Sequence, residues 1–223
     1  MTDFSRSDPL GKVPIIEIPE RYNAAHDLIE RNLRGGRGDR VAFVDDRQAI
    51  THEALAERVN RFASGLSSSG IGLEDRVMIC MLDSIDWVVA FLGSIKAGVV
   101  PVCVNTMLQA SDYDYMLRDS RARALFVSRS LYPAFDGLLQ SIQTLSRVVI
   151  SEAPIADGGD FDALLASGDK EFDPADTSAD EPCFWLYSSG STGRAKGTTG
   201  RRWRASARPD EGYSGACVCG AGM

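Results

Sequence analysis

One short stretch of the sequence combines glycine, hydroxyl-bearing and basic residues at a spacing suited to phosphate chemistry. It covers residues 188–198 (SSGSTGRAKGT) and directly follows the apolar run at residues 183–187 (CFWLY). Glycine lets the backbone bend so that successive amide groups point at one ligand. Hydroxyl and lysine side chains add hydrogen-bond donors and positive charge for phosphate oxygens. We call residues 188–198 the phosphate loop, and their composition predicts a polyphosphate site whose expected ligand is a nucleotide.

The candidate binding residues are the members of the phosphate loop that offer amides, hydroxyls or charge. They are Ser188, Ser189, Gly190, Ser191, Thr192, Gly193, Lys196 and Gly197. A flexible Gly/Ser turn without function is the alternative, because such turns are common in proteins. The position of the loop straight after an aromatic-rich apolar run favours phosphate binding. No catalytic residue and no metal site is predicted.

Two better-known loop motifs do not match the phosphate loop. Counted from Gly190, a Walker A loop requires a glycine where the chain has Ala195 and a hydroxyl residue where it has Gly197. A serine-hydrolase elbow requires Gly-x-Ser-x-Gly, whereas Gly190 and Gly193 are only three residues apart. An NTPase of another type would need a downstream acid for Mg²⁺, which the sequence does not identify. These three enzyme classes are therefore not predicted.

The composition is that of an ordinary globular protein in which acidic residues outnumber basic ones. Of 223 residues, 44% are hydrophobic and 25% charged, and the net charge of −7 does not suit a nucleic-acid partner. No apolar run approaches the roughly 18 residues that span a membrane, and residues 1–13 do not resemble a secretory signal. The five cysteines form an odd, unpaired set typical of a reduced compartment. We therefore expect a cytoplasmic protein that acts on small molecules, without nucleic-acid or membrane partners; the sequence carries no signal for an oligomeric state.

Strand-like apolar runs alternate with helical patterns through the middle of the chain. The predicted strands cover residues 76–82, 99–104, 124–128, 147–150 and 183–187, and the predicted helices cover 84–96, 111–118 and 131–142. Nearly continuous apolar strands separated by helices indicate crossover connections and a parallel sheet that is covered on both faces. The predicted fold class is therefore α/β, and the phosphate loop follows the last of these strands.

The flanking parts of the chain carry further patterns. Apolar spacing predicts a helix at residues 22–33, a hairpin at 41–50 and a second helix that begins after Thr51, a good N-cap residue. Four apolar residues form the stripe that this second helix buries, namely Leu55, Val59, Phe62 and Leu66. Residues 151–181 are rich in aspartate and interrupted by proline, which predicts a solvated connector with one short helix at 161–166.

The run at residues 187–198 resembles the signature loop of the adenylate-forming acid–CoA ligases, with Ala195 in place of the usual proline. Other segments are most similar to the benzoate-CoA ligases of that superfamily. They are 41–46 (VAFVDD), 81–83 (MLD), 86–87 (DW), 90–93 (AFLG), 97–102 (AGVVPV) and 184–187 (FWLY). The resemblance covers residues 22–198, which is most of the chain.

The resemblance implies a ligase that joins a small-molecule carboxylic acid to coenzyme A with ATP and Mg²⁺. In that chemistry the carboxylate attacks the α-phosphate to give an acyl-adenylate and pyrophosphate, and the thiol then displaces AMP. The phosphate loop would hold the β- and γ-phosphates. The family's acid pocket, adenine and ribose contacts and C-terminal domain all follow this loop. The resemblance therefore implies the parallel-sheet N-terminal subdomains of an adenylate-forming enzyme, truncated and inactive in isolation. A non-enzymatic nucleotide-binding or interaction module of βα repeats is the alternative.

Residues 201–223 differ in composition from the rest of the chain. Residues 201–223 contain four Arg, four Ala, four Gly and two Cys but no Leu, Ile or Phe. This composition is typical of GC-rich coding DNA read out of frame, whereas a basic arm for an anionic partner is the functional alternative. We therefore expect an N-terminal arm at residues 1–20, a partial AMP-binding domain at 21–198 and an aberrant, disordered tail at 199–223. Truncation would leave apolar surface uncovered, so poor solubility is also expected.

Overall fold

A computed structural model describes residues 4–8, 15–152, 160–188 and 196–201. The helices are α1 (Ala24–Arg34), α2 (His52–Ser68), α3 (Ile85–Lys96), α4 (Ala110–Ser120) and α5 (Asp160–Ser167). The strands are β1 (Arg6–Asp8), β2 (Ile15–Glu17), β3 (Val41–Val44), β4 (Ala49–Thr51), β5 (Arg76–Cys80), β6 (Val100–Cys103), β7 (Ala124–Ser128), β8 (Arg147–Ser151), β9 (Pro182–Ser188) and β10 (Lys196–Arg201). The predicted α/β class is confirmed.

Six strands form one mixed sheet in the order β10-β9-β6-β5-β7-β8. The strands from β5 to β9 run parallel to one another, as the alternation of strands and helices predicts. β10 is antiparallel to β9 and forms one edge of the sheet. The sequence pattern predicts a loop at residues 196–198 and a disordered tail from 199, because β10 has no apolar alternation. The structure has a strand through Arg201, since β9 supplies its hydrogen-bonding partner, and residues 202–223 of the predicted tail lie outside the described residues.

The alternating side chains of β5 show how the sheet is covered on both faces. Val77 and Ile79 belong to a core formed with helices α1, α2, α3 and α5. Met78 and Cys80 belong to a second core on the opposite face, formed with α4 and the segment that follows β7. Neighbouring residues of a strand point to opposite faces, so one strand contributes to both cores. The predicted burial of both faces is confirmed.

Helix α2 forms as its sequence predicts. The Thr51 hydroxyl accepts a hydrogen bond from the Ala54 amide at 3.2 Å, which confirms the predicted N-cap. The four residues of the predicted stripe are all buried, namely Leu55, Val59, Phe62 and Leu66. Across the described ranges, none of the helices combines the length and the apolar character needed to cross a membrane.

The predicted helix at residues 131–142 is wrong. The structure has two short 3₁₀ turns there, Tyr132–Phe135 and Leu139–Ser141. Pro133 lacks an amide hydrogen, and Gly137 adopts a left-handed φ of +77°, so a continuous helix is interrupted. Phe135 is nevertheless fully buried and stacks on Tyr113, with ring centroids 4.7 Å apart.

The segment after β8 is less solvated than its composition predicts. Helix α5 confirms the predicted short helix, but its residues Phe161 and Leu164 are buried in the core beside α2. Farther along, the Thr177 hydroxyl donates to the Tyr22 carbonyl oxygen at 2.7 Å. The aspartates between residues 161 and 181 are exposed. The segment therefore presents its acidic residues to solvent while its apolar residues complete the core.

Candidate functional site

The phosphate loop connects two strands at one edge of the sheet. β9 ends at Ser188 and β10 begins at Lys196, and these two residues are direct partners in the β9–β10 register. Both are exposed, so a hydroxyl and an ammonium group are available at the mouth of the loop. Of the predicted binding residues, the structure describes these two and Gly197. The others lie outside the described residues, namely Ser189, Gly190, Ser191, Thr192 and Gly193.

The fold places the phosphate loop at the carboxyl edge of the parallel strands. β9 is parallel to β6, and β6 is parallel to β5, so the chain leaves all three strands on the same side. The connection after β5 leads to α3 on one face, whereas the connection after β6 leads to α4 on the other. Open α/β sheets bind ligands where adjacent connections diverge in this way. The phosphate loop lies one strand away from that point.

Apolar side chains are also exposed near this edge of the sheet. Leu82 follows β5, Met107 follows β6 and Leu186 lies near the end of β9, with exposed fractions of 41%, 89% and 40%. The Asn105 side-chain oxygen accepts from the Met107 amide at 2.8 Å, and its carbonyl oxygen accepts from the Tyr113 hydroxyl at 2.9 Å. Leu82, Met107 and Leu186 could have been found in the sequence from their position, which is just after an apolar strand or at its end.

Gly197 lies under the indole ring of Trp185 from the neighbouring strand. A Cβ atom at Gly197 would lie 2.5 Å from Trp185 Cζ2 and closer still to Nε1, so a larger residue requires the ring to move. Gly200 is covered in a similar way by Phe184, whose Cζ would lie 2.5 Å from a Cβ atom there. Gly197 therefore has a packing role in the hairpin, and its predicted role in ligand binding stays a prediction.

Tyr187 ties β9 to helix α4. The Tyr187 hydroxyl donates to Asp119 Oδ2 at 2.8 Å. The centroid of its ring lies 6.4 Å from that of Tyr115 and 5.9 Å from that of Trp185. Burial, helped by the hydrogen bond to the Asp119 carboxylate, raises the pKa of Tyr187 well above its ordinary value. The hydroxyl therefore stays protonated and keeps donating. The strand that leads into the loop is thus fixed to a helix one residue before it ends.

Charged side chains fasten the β3–β4 hairpin to the start of α3. Asp86 is only 4% exposed and accepts from Arg58 at 2.6 Å and from Arg47 at 3.1 Å. Asp45 Oδ2 accepts from the Ile85 amide at 3.0 Å, and this bond lowers the pKa of Asp45. Both aspartates occur in segments that resemble benzoate-CoA ligases. In the structure they build the scaffold beside the carboxyl edge of the sheet.

The cysteines of the described residues form no disulfide with one another, namely Cys80, Cys103 and Cys183. Burial raises the pKa of Cys80 to about 11 and that of Cys103 to about 12, so both stay protonated and unreactive near neutral pH. Within the same part of the chain, no group of three or more His, Cys, Asp and Glu side chains could hold a metal ion.

The fold and the loop together define the class of protein. The family model for AMP-binding enzymes matches residues 29–200, which is most of the chain and includes the whole phosphate loop. The chain therefore belongs to the AMP-binding enzyme family. This result confirms the resemblance of the loop to that of the adenylate-forming ligases.

Several of the chain's relatives are named as ligases of aromatic acids. The chain is 49% identical over 199 residues to the benzoate–CoA ligase of Thauera aromatica, a match that covers 89% of this chain and 37% of that protein. The solved benzoate CoA ligase of Burkholderia xenovorans LB400 is 36% identical with a TM-score of 0.71, covering 81% of this chain and 35% of that one. An anthranilate CoA ligase solved with anthranoyl-AMP is 30% identical with a TM-score of 0.77, covering 83% and 36%. The chain thus spans about a third of the length of the relatives it matches.

Proposed function

We propose that this chain supplies the ATP-phosphate-binding part of an ATP-dependent carboxylic acid–CoA ligase that acts on benzoate or a similar aromatic acid. Family membership and the 49% identity to a benzoate–CoA ligase support the ligase class. The observation that carries the proposal is the pairing of Ser188 with Lys196 at the carboxyl edge of the sheet. That pairing brings the two ends of the phosphate loop together, with a cation at one end.

In the proposed reaction, the carboxylate of the acid attacks the α-phosphate of ATP, forms the acyl-adenylate and releases pyrophosphate. The thiol of coenzyme A then attacks the acyl carbon, releases AMP and leaves the thioester. The phosphate loop binds the β- and γ-phosphates through its amides, its hydroxyls and the Lys196 ammonium group. Negative charge accumulates on these phosphates as their bond to the α-phosphate breaks, and the loop stabilises that charge. Its role is to position and to neutralise rather than to transfer a proton.

ATP, Mg²⁺ and coenzyme A are the proposed cofactors of the whole ligase. The exposed hydroxyl and ammonium groups of Ser188 and Lys196 suit phosphate oxygens. The described residues offer no acidic cluster for Mg²⁺, so we propose that the ion arrives bound to the triphosphate. The resemblance implies that the acid pocket and the sites for adenine and coenzyme A follow the phosphate loop, and the chain spans only 37% of the Thauera aromatica ligase. The chain on its own therefore binds ATP in the cytoplasm without forming a thioester.

Isothermal titration of the full chain with ATP and Mg²⁺ tests the phosphate loop. Lys196→Ala should weaken ATP binding by about tenfold or more, because a charge-assisted hydrogen bond is lost. Lys170→Ala is the control and should leave the affinity unchanged, since Lys170 is an exposed residue paired with Glu57 of α2. Equal affinities of the Lys196→Ala chain and the parent would contradict the role given to the loop.

A chimera tests the ligase class itself. Residues 22–198 replace the matching segment of the Thauera aromatica benzoate–CoA ligase, and the chimera is supplied with benzoate, ATP and coenzyme A. Release of pyrophosphate and formation of benzoyl-CoA are expected, and Lys196→Ala in the chimera should reduce both. A folded chimera that binds ATP without releasing pyrophosphate favours the alternative, a non-enzymatic nucleotide-binding module of βα repeats.

A further inference from the structure

Trp185 has a position that the loop motif and the proposed chemistry leave unexplained. Its half-buried side chain lies across the beginning of β10, directly over Gly197. Its Nε1 atom is buried and has no hydrogen-bond partner among the described residues. Within the part of the chain that the structure describes, packing and not a hydrogen bond of the indole N–H therefore holds the ring in place.

The indole ring is the last member of a stack that begins on helix α4. Tyr187 stacks on Trp185 with a centroid distance of 5.9 Å and an interplanar angle of 23°, and its hydroxyl is bonded to Asp119 of α4. The indole also lies over Gly197, which follows Lys196 in β10 and is the register partner of Tyr187. The contacts thus run without interruption from α4 to the residue next to the loop's cation.

We propose that Trp185 is a positioning residue for the phosphate site, because its packing on Gly197 holds Lys196 opposite Ser188. The inference rests on the proposed function, in which Lys196 binds phosphate. Contacts between diagonal neighbours on adjacent strands help to fix the register of a hairpin. A slip of one residue would turn Lys196 to the other face of the sheet. Because Tyr187 is bonded to α4 and packs on Trp185, the ring of Trp185 is fixed relative to α4 and holds Gly197, and with it Lys196, in place.

The same hairpin contains a matched control for this contact. Gly200 is also covered by an aromatic ring, that of Phe184, although less closely: the nearest ring atom would lie 2.5 Å from a Cβ atom at Gly200 and nearer than that at Gly197. Phe184 lies next to Trp185 along β9, so its side chain faces the opposite side of the sheet. There its ring centroid lies 5.9 Å from that of Phe91 in α3. Gly197→Ala and Gly200→Ala therefore introduce the same methyl group under an aromatic ring, but only the first is beside Lys196.

The first measurement needs no ligand. Trp87→Phe and Trp203→Phe in the full chain leave Trp185 as the single tryptophan, so that its fluorescence emission reports on its own surroundings. Gly197→Ala should shift this emission to longer wavelength, because the displaced ring meets water. Gly200→Ala should leave the emission where it is.

The second measurement is the affinity for ATP with Mg²⁺ by isothermal titration of the full chain. Gly197→Ala and Trp185→Ala should each weaken binding by about tenfold, whereas Gly200→Ala should stay within about twofold of the parent. Trp185→Phe keeps an aromatic ring but is smaller, because it loses the fused ring and its N–H, so it should weaken binding less than Trp185→Ala does. Circular dichroism of each variant verifies that the sheet and helices are intact.

The outcomes separate this inference from the proposed function. If Gly197→Ala leaves the emission unshifted, or keeps the parent's affinity while Lys196→Ala loses it, the positioning role is overturned and the proposed function stands. Equal losses of affinity in Gly197→Ala and Gly200→Ala mean general damage to the hairpin and also overturn it. If the parent itself binds no ATP, the proposed function fails. The fluorescence emission then decides alone whether the packing of Trp185 on Gly197 fixes the position of β10, and an emission shift that occurs only in Gly197→Ala supports this role.

Discussion

Asp86 is a buried carboxylate whose negative charge is shared by two arginines. Asp86→Asn should lower the free energy of unfolding by about 2–3 kcal/mol, because the hydrogen bonds of Arg58 and Arg47 to a charged acceptor are lost. Urea unfolding followed by circular dichroism measures the change. Asp114→Asn is the control, since the pair of Asp114 with Arg118 is partly exposed and should contribute less than about 0.5 kcal/mol. Similar losses in the two variants would contradict the importance of burial.

His26 makes the stability of the fold depend on pH. Burial, with a contribution from Lys96, lowers the pKa of His26 below its ordinary value of 6.5, and its ring stacks on Phe4 with centroids 5.6 Å apart. The unfolded chain therefore binds the proton more readily than the folded chain does. Stability is complete above the unfolded pKa and is lost as the pH falls through 6.5 towards the folded pKa.

Substitution of the histidines tests this pH dependence. Burial also lowers the pKa of His52, the second histidine of the chain. His26→Phe should reduce the loss of stability between about pH 7 and 5.5, and His26→Phe with His52→Gln should remove the histidine contribution altogether. Urea unfolding at a series of pH values provides the measurement. An unchanged slope in the double variant would contradict the direction of both pKa shifts.

At the scale of elements, helices α2 and α3 approach closely where Gly93 meets Phe62. A Cβ atom at Gly93 would lie 2.5 Å from Phe62 Cδ1. Gly93→Ala should therefore lower the free energy of unfolding by about 1–2 kcal/mol, since overpacking outweighs the higher helix propensity of alanine. The midpoint of urea unfolding reports the change.

Gly72 offers the matched control for Gly93. No heavy atom lies within 4 Å of a Cβ at Gly72, and its φ is not in the left-handed range. Gly72→Ala should leave the stability within about 0.5 kcal/mol of the parent. If Gly93→Ala proves as stable as Gly72→Ala, the two helices have room for the methyl group and the packing argument fails.

The sequence predicts the central strands well because their signal is local. β7 forms over the predicted residues, and β5, β6 and β8 differ from prediction by one or two residues at an end. These strands are nearly continuous apolar runs, so each is recognisable without its neighbours. The segment 131–142 misleads because it carries apolar residues at helical spacing, while Pro133 and Gly137 prevent a continuous helix.

The candidate site is only partly predictable for a different physical reason. The phosphate loop is visible in the sequence because glycine, hydroxyl and lysine residues follow a strand. Strand β10 is not visible, since its residues are polar or glycine and its pairing depends on β9. The contact of Trp185 with Gly197 likewise requires the register of that pairing. Interactions set by a partner far along the chain cannot be derived from local composition.

At the scale of the whole molecule, the β3–β4 hairpin leaves an apolar surface exposed. Val41, Phe43 and Val44 of the hairpin and Leu28 of α1 have exposed fractions of 58%, 42%, 72% and 49%. Contiguous exposed apolar surface favours association in water. We therefore predict that the chain self-associates as its concentration rises, in line with the poor solubility that the sequence predicts.

Analytical ultracentrifugation over a range of concentrations tests the predicted association. Val44→Lys should shift the chain towards monomer, because it places a charge in the apolar surface. Leu73→Lys is the control, since Leu73 is exposed to a similar degree but lies elsewhere, next to Gly98. A chain that is monomeric at all concentrations, or one for which the two variants act alike, would contradict the prediction.

The order of the strands also determines when the sheet edge that carries the phosphate loop can form. β5 and β6 are joined by a single helix, whereas the pairing of β9 with β6 brings residue 102 next to residue 185. Closing so long a stretch of chain has a larger entropic cost and slows folding. On the ribosome, the central strands and their helices can therefore condense while β9 is still being synthesised. The nucleotide affinity that we propose for the phosphate loop would then be acquired in the final stage of folding, and its appearance would report a completed sheet.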